Sequence, residues 1–142
     1  MTPYEIKKIS ESAFENQGNA LGKECYIQRL IDNSDLMNRG NRGHASLPRQ
    51  PADFIVMLKG LTFFAEVKGT EQDKFYLSRF EPSQWAGMMR SHAAGGNYNI
   101  FIYHVPSKLW TVVSAEYILK LSAENVKSFK LESKVDDWTK IL

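Results

Sequence analysis

One cysteine in 142 residues leaves no partner for an internal disulfide and no cysteine pair to anchor zinc. The histidines do not have zinc-ligand spacing, and no glycine-rich loop leads into a lysine as a nucleotide-phosphate cradle would. No apolar run approaches the roughly 18–20 residues that span a bilayer. The opening Met1-Thr-Pro-Tyr-Glu-Ile-Lys-Lys8 lacks the apolar core of a signal peptide. Repeats, low-complexity tracts and linkers are also missing. These absences exclude a disulfide scaffold, a zinc module, a P-loop nucleotidase and a transmembrane helix. They leave one cytoplasmic globular domain, residues 1–142, with no membrane association, and Cys25 as a small core residue.

The net charge of +2 is small, but it is unevenly placed. Residues 1–35 carry four basic and six acidic side chains, residues 36–110 nine and five, and residues 111–142 five of each. The basic excess is central. Met37 to Arg49 is its densest part, with Arg39, Arg42 and Arg49, two glycines and no acid. A basic glycine-bearing loop suits close contact with phosphates, and a solvated surface loop is the plain alternative.

Thr2-Pro3-Tyr4-Glu5 is a capping box with proline at the first helical position, which predicts a helix to about Glu15 with Ile6, Ile9 and Ala13 inward. Asn16-Gln-Gly18-Asn should end it. A second helix is predicted from Ala20 to Asp32, placing Ala20, Glu24, Ile27 and Ile31 on one stripe. Phe54-Ile-Val-Met-Leu58, the turn Lys59-Gly60 and Leu61-Thr-Phe-Phe-Ala-Glu-Val-Lys68 read as a β-hairpin. A helix follows from Ser83 to about Ala94, with Gln84 in its first turn. Strands at Tyr98–Val105 and Leu109–Val113, a short helix at Ser114–Leu121, a strand at Ser128–Ser133 and a terminal turn complete the chain. This order predicts a mixed α/β fold, a central mixed sheet flanked by helices.

The hairpin carries the chemistry. Alternation puts Phe64, Glu66 and Lys68 on one face and Phe63, Ala65 and Val67 on the other. A carboxylate and an ammonium in so apolar a strand are costly to bury unless paired or holding a metal. Asp53, at the start of the neighbouring strand, supplies a second carboxylate. Two carboxylates beside a lysine are what Mg²⁺-dependent phosphodiester hydrolysis needs. Read alone, the pattern is also that of an ordinary amphipathic hairpin with an acid–lysine pair.

Pro51-Ala-Asp53 followed by Glu66-Val-Lys68 resembles the motif of the PD-(D/E)XK nuclease superfamily. Downstream, Phe75, Leu77, Phe80 and Gln84 resemble the Phe-x-Leu-x-x-Phe-x-x-x-Gln stretch of RecU-type Holliday junction resolvases; the archaeal resolvases are similar in outline. The resemblance covers Ala20 to Glu116 and implies a single restriction-endonuclease-like domain. It implies Asp53, Glu66 and the Val67 carbonyl as ligands of Mg²⁺, with Mn²⁺ able to substitute. Glu24 would be the helical carboxylate, ligating directly or through water, and Glu15 its fallback. Lys68 would position the attacking water, and Gln84 would bind that water or the scissile phosphate. Arg39, Arg42, Arg49, Lys74 and Arg79 would contact branched DNA, a four-way junction. The implied assembly is a homodimer, with Phe75, Tyr76, Leu77 and Phe80 forming either core or interface. No small-molecule cofactor is implied, and the source would be a bacterial, archaeal or phage-infected cell. The stalk insertion of the RecU type is absent. A repair or restriction-type nuclease and an inactive DNA-binding module of the same fold are the alternatives.

Overall fold

A computed structural model describes residues 1–31 and 49–141. Arg39 and Arg42 lie outside the described residues. Helix α1 spans Pro3–Asn19, and the Thr2 hydroxyl accepts from the Glu5 N–H as its N-cap. Strands β1 (Cys25–Arg29), β2 (Phe54–Leu58), β3 (Leu61–Thr70) and β4 (Lys74–Tyr76) follow. Then come α2 (Pro82–Ala93), β5 (Tyr98–His104), β6 (Leu109–Ser114), α3 (Ala115–Ala123) and β7 (Ser128–Lys130).

The central sheet has the order β1-β2-β3-β5-β6. Only β3 and β5 run parallel; the other pairs are antiparallel. The β2–β3 hairpin turns at Lys59 and Gly60, with φ of 53° and 78°. Two successive positive φ angles are the two-residue turn whose twist matches the strands, and glycine takes the second without strain. β4 and β7 form a small separate ribbon.

Each face of the central sheet has its own core. Phe14 of α1 stacks on Trp138 with centroids 4.3 Å apart and joins Phe54, Val56, Phe63, Ala65, Val67 and Phe101. On the other face Met88 of α2 and Ile118 of α3 pack with Phe75, Leu77, Phe80, Tyr98, Ile100 and Ile102. The result is helix, sheet, helices: three layers with apolar side chains from both faces of β3 and β5.

Two expectations need correction, and one left open between two readings is decided. The predicted helix over Ala20–Asp32 does not form: a short 3-10 turn at Gly22–Glu24 leads into strand β1. Gly22 adopts φ 61°, which stops helical geometry, and Cys25 to Arg29 pair in register with Leu58 to Phe54. Tertiary pairing of Cys-Tyr-Ile overrides a helical stripe that propensity alone supported. The first helix does not end at Glu15 but runs to Asn19. Gly18 lies inside it because a Cβ there would meet Ile27 at 2.2 Å and Trp138 at 3.0 Å. Finally, Phe75, Leu77 and Phe80 are buried, so of the aromatic segment only Tyr76 is exposed. Of the two readings open for that segment, core describes these three side chains.

Candidate active site

The site forms where β2 stops and β3 continues. Their pairing ends at Phe54↔Ala65, while β3 runs on to Thr70 with β5 along its other edge. From Glu66 onward the β2-side edge of β3 has no strand partner among the described residues. Asp53, one residue before β2, fills this notch: its Oδ2 accepts from the Val67 N–H at 3.0 Å. A strand residue turns its N–H and C=O to the same edge, so the Val67 carbonyl also faces the notch.

The segment carrying Asp53 is clamped at both ends. The Asp53 carbonyl accepts from Leu30 N–H at 2.8 Å, and the Tyr98 hydroxyl donates to the Pro51 carbonyl. Gly87 of α2 lies directly against Pro51: a Cβ on Gly87 would fall 2.8 Å from the Pro51 oxygen and 2.7 Å from its Cβ. Only glycine lets α2 approach so closely.

Glu66 is 2% exposed. Its Oε2 accepts from Gln84 Nε2 at 2.9 Å and lies 3.5 Å from Lys68 Nζ. Among the described residues its Oε1 is buried without a hydrogen-bond partner. Lys68 donates to Gln84 Oε1 at 3.1 Å and to the Arg79 carbonyl at 3.2 Å, and lies over the Phe80 ring. Gln84 Oε1 also accepts from the Glu81 N–H at 2.9 Å, closing the capping box of α2. One amide therefore ties the helix N-terminus to both Glu66 and Lys68.

Burial, and then the Asp53 charge, push the Glu66 carboxyl well above its ordinary value. Burial pushes Asp53 up too, against the Val67 N–H and the charges of Lys7 and Lys68. The Asp53 and Glu66 carboxyls lie within hydrogen-bonding reach of each other. Both are acceptors when ionised, so such a pair settles either by keeping a proton or by taking up a cation.

Sequence reading missed a third carboxylate. Glu11 on α1 is 6% exposed, and burial followed by the Asp53 charge raises its carboxyl. Arg29 of β1 grips it, Nη1 to Oε1 at 2.6 Å, and also holds Glu15. The signal for it was the spacing of Ser10, Phe14 and Gly18 beside Glu11, which is helical. It was obscured because most of this buried face is polar or glycine, whereas the expected inward residue Ile9 is 36% exposed.

Glu24 is not at this site. It is exposed in the turn before β1, lining a separate hollow with Leu21, Leu58, Lys59 and Asp137. The register puts it six strand positions from Asp53, roughly 20 Å at about 3.3 Å per residue. The helical assignment that carried Glu24 inward fails with the helix. Glu15 is partly buried, and its carboxylate faces Arg29. Of the basic residues, Arg49 is exposed and pairs with Glu81 at 3.4 Å. The Arg79 guanidinium donates to the Gly69 carbonyl at 2.7 Å and lies over Phe75. Lys74 is exposed on β4. Among the described residues no three Asp, Glu, His or Cys side chains converge on one cation position, and no helix is long and apolar enough to cross a membrane.

No protein-family model matches the sequence, and no curated protein is similar to it. Among solved structures the chain is similar to Hjc of Archaeoglobus fulgidus, a Holliday junction resolvase from an archaeal hyperthermophile. That similarity covers 80% of this chain and 77% of the other at 10% sequence identity, with a TM-score of 0.47. At this level the site's own geometry has to carry the functional reading.

Proposed function

We propose that the chain is a Mg²⁺-dependent endonuclease that cuts branched DNA, with the four-way junction as its substrate. The observation that carries the nuclease reading is the Asp53–Glu66 pair, with Glu66 Oε1 buried and without a hydrogen-bond partner among the described residues and the Lys68 ammonium 3.5 Å from Oε2. These donors fit a hard cation. Mg²⁺ is characteristically held by one or two carboxylates and otherwise by water and substrate phosphate, so a cage of three side chains is not required. Asp53, Glu66 and the Val67 carbonyl would hold it, and Mn²⁺ would substitute. When bound, the ion would polarise the phosphate and lower the pKa of water, so that hydroxide is available as the nucleophile.

The remaining work falls to the chain itself. Lys68 places a positive charge at the mouth of the carboxylate pair, where charge grows on the phosphoryl oxygens. Its position is set by Gln84 and the Arg79 carbonyl, so it needs no reorganisation when substrate arrives. Gln84 contacts Glu66 and Lys68 in the structure. Its role in this proposal is therefore to orient both groups, replacing the direct phosphate contact expected from sequence. The junction substrate is supported by the likeness of Phe75, Leu77, Phe80 and Gln84 to the resolvase stretch. Symmetric resolution requires two sites, which a C₂ homodimer would supply.

The test compares a four-way junction with matched linear duplex in Mg²⁺ and in Ca²⁺, using wild type and Asp53→Asn. Paired symmetric nicks on the junction in Mg²⁺ alone, lost in Asp53→Asn while junction binding persists, are expected. Cleavage that survives Asp53→Asn would remove the site. Equal cutting of duplex and junction would remove the substrate assignment and leave the chemistry.

A further inference from the structure

We infer that the β4–β7 ribbon is a DNA-backbone contact, with Lys74 and Lys130 gripping phosphates of a duplex arm beside the cleavage site. The inference rests on the branched-DNA reading above and names the part of the chain that holds an arm. It starts from a like-charge pair. Lys74 and Lys130 lie directly opposite each other in the ribbon, and both are exposed. Cross-strand partners point to one face with Cβ atoms about 4.5–5.5 Å apart, and like charges so placed are destabilising. Among the described residues neither ammonium has a carboxylate within ion-pair distance.

The acids nearby are disposed elsewhere. Asp73 alternates to the other face, where His104 and Lys134 lie 3.4 and 3.8 Å from it. Glu71 faces the N-terminal ammonium at 3.8 Å, and Glu132 lies beyond the last paired residue, Lys130. Along the paired residues the outer face therefore holds Lys74, Tyr76, Ser128 and Lys130, and no acid. Tyr76 is 43% exposed there and adds a hydroxyl that can donate to a phosphate oxygen.

The inner face fixes the ribbon to the site. Phe75 is fully buried in the core on the sheet face that carries Glu66 and Lys68. Its ring lies 5.8 Å from Phe129 and 5.4 Å from Phe80, and the Phe80 ring lies 5.7 Å from Lys68 Nζ. Arg79 fills the angle between ribbon and site. Its guanidinium sits 5.3 Å over Phe75, and its carbonyl accepts from Lys68. Cations thus run from Lys68 through Arg79 to Lys74 and Lys130. These steps put the ribbon about 10–20 Å from Lys68, about three to six nucleotides along a strand at about 3.4 Å each. An anion between the two lysines removes the repulsion that the bare ribbon carries. A phosphodiester chain is the polyanion that the site's own chemistry brings there. Lysine meets a phosphate as a point charge and reads no base, so the contact serves any arm sequence.

The experiment follows binding of a fluorescent four-way junction to the full chain by anisotropy, in Ca²⁺ across a KCl series. Lys74→Gln/Lys130→Gln should lower the log–log salt slope by about 0.9–1.8, for one or two phosphates no longer neutralised. Lys74→Arg/Lys130→Arg should keep the wild-type slope, because both charges remain. Lys23→Gln/Lys140→Gln removes the same net charge from exposed positions beside Glu24, at the far end of the sheet. It should move the slope by less than about 0.3. Circular dichroism checks that each variant is folded. A slope within about 0.3 of wild type in folded Lys74→Gln/Lys130→Gln would overturn the inference, as would an equal drop in Lys23→Gln/Lys140→Gln. Wild type without salt-dependent binding to the junction would instead overturn the branched-DNA reading itself, and the inference with it.

Discussion

Substituting Glu66→Gln should make the metal-free protein more stable while abolishing cleavage. In wild type Glu66 is buried, its Oε1 has no hydrogen-bond partner among the described residues, and Asp53 lies within hydrogen-bonding reach. Burial and Asp53 both outrank Lys68 among the influences on its charge, so the ionised form is disfavoured despite the nearby ammonium. A glutamine keeps an oxygen for Gln84 and Lys68 and sets an N–H donor beside Asp53. An unsatisfied buried polar group costs about 1–3 kcal/mol, which bounds the gain. Unfolding entropy near 2.1 cal/mol/K per residue gives about 0.3 kcal/mol/K for this chain, so Tm should rise about 3–10 °C. The pH dependence has a definite sign. A carboxyl raised in the folded state stabilises fully below its unfolded value, 4.5 for glutamate, and that stability is lost as pH rises through the folded value. Wild type without metal should therefore lose stability as pH rises above that unfolded value, being less stable in an assay at about pH 8 than in one at about pH 5, and Glu66→Gln should lose less. The assay is thermal unfolding followed by circular dichroism in excess chelator at both pH values. A Tm for Glu66→Gln at or below wild type at the higher pH would refute the reasoning, as would a wild-type Tm that climbs with pH.

Other outcomes follow from the same geometry. Gly87→Ala should destabilise by about 1–3 kcal/mol, because its Cβ meets Pro51 backbone that Tyr98 already holds; a shift below about 0.5 kcal/mol in denaturant unfolding would mean α2 yields easily. Replacing Arg39, Arg42 and Arg49 together should weaken junction binding and lower the log–log salt slope by about 0.9 for each phosphate no longer neutralised, an unchanged slope placing that segment away from DNA. Sedimentation at micromolar protein should give the mass of a dimer; a strict monomer that only nicks a cruciform plasmid would leave nuclease chemistry without symmetric resolution.

The hairpin and the face that Glu66 and Lys68 share were legible from the amino-acid order alone. Both follow from period-two alternation and a two-residue turn, which act over a few neighbouring residues. Asp53 was legible for the same reason, since it adjoins the paired strand. The helix beginning at Pro82 and the β5–β6 hairpin were legible from caps, glycines and β-branched runs. Which carboxylate joins that pair depends on how the layers pack. Glu24 had helical spacing, but Gly22 and pairing with β2 turned its segment into a strand and left it at the far end of the sheet. Glu11 enters because α1 crosses the continuing part of β3, and Arg29 meets it from β1. Gln84 was legible as a candidate but not in its role, because Glu66, Lys68 and the α2 cap converge on one amide only after the sheet and helix have packed. Local periodicity can place a side chain on a face; it cannot say which distant element will supply the charge opposite it, because that depends on how the layers close.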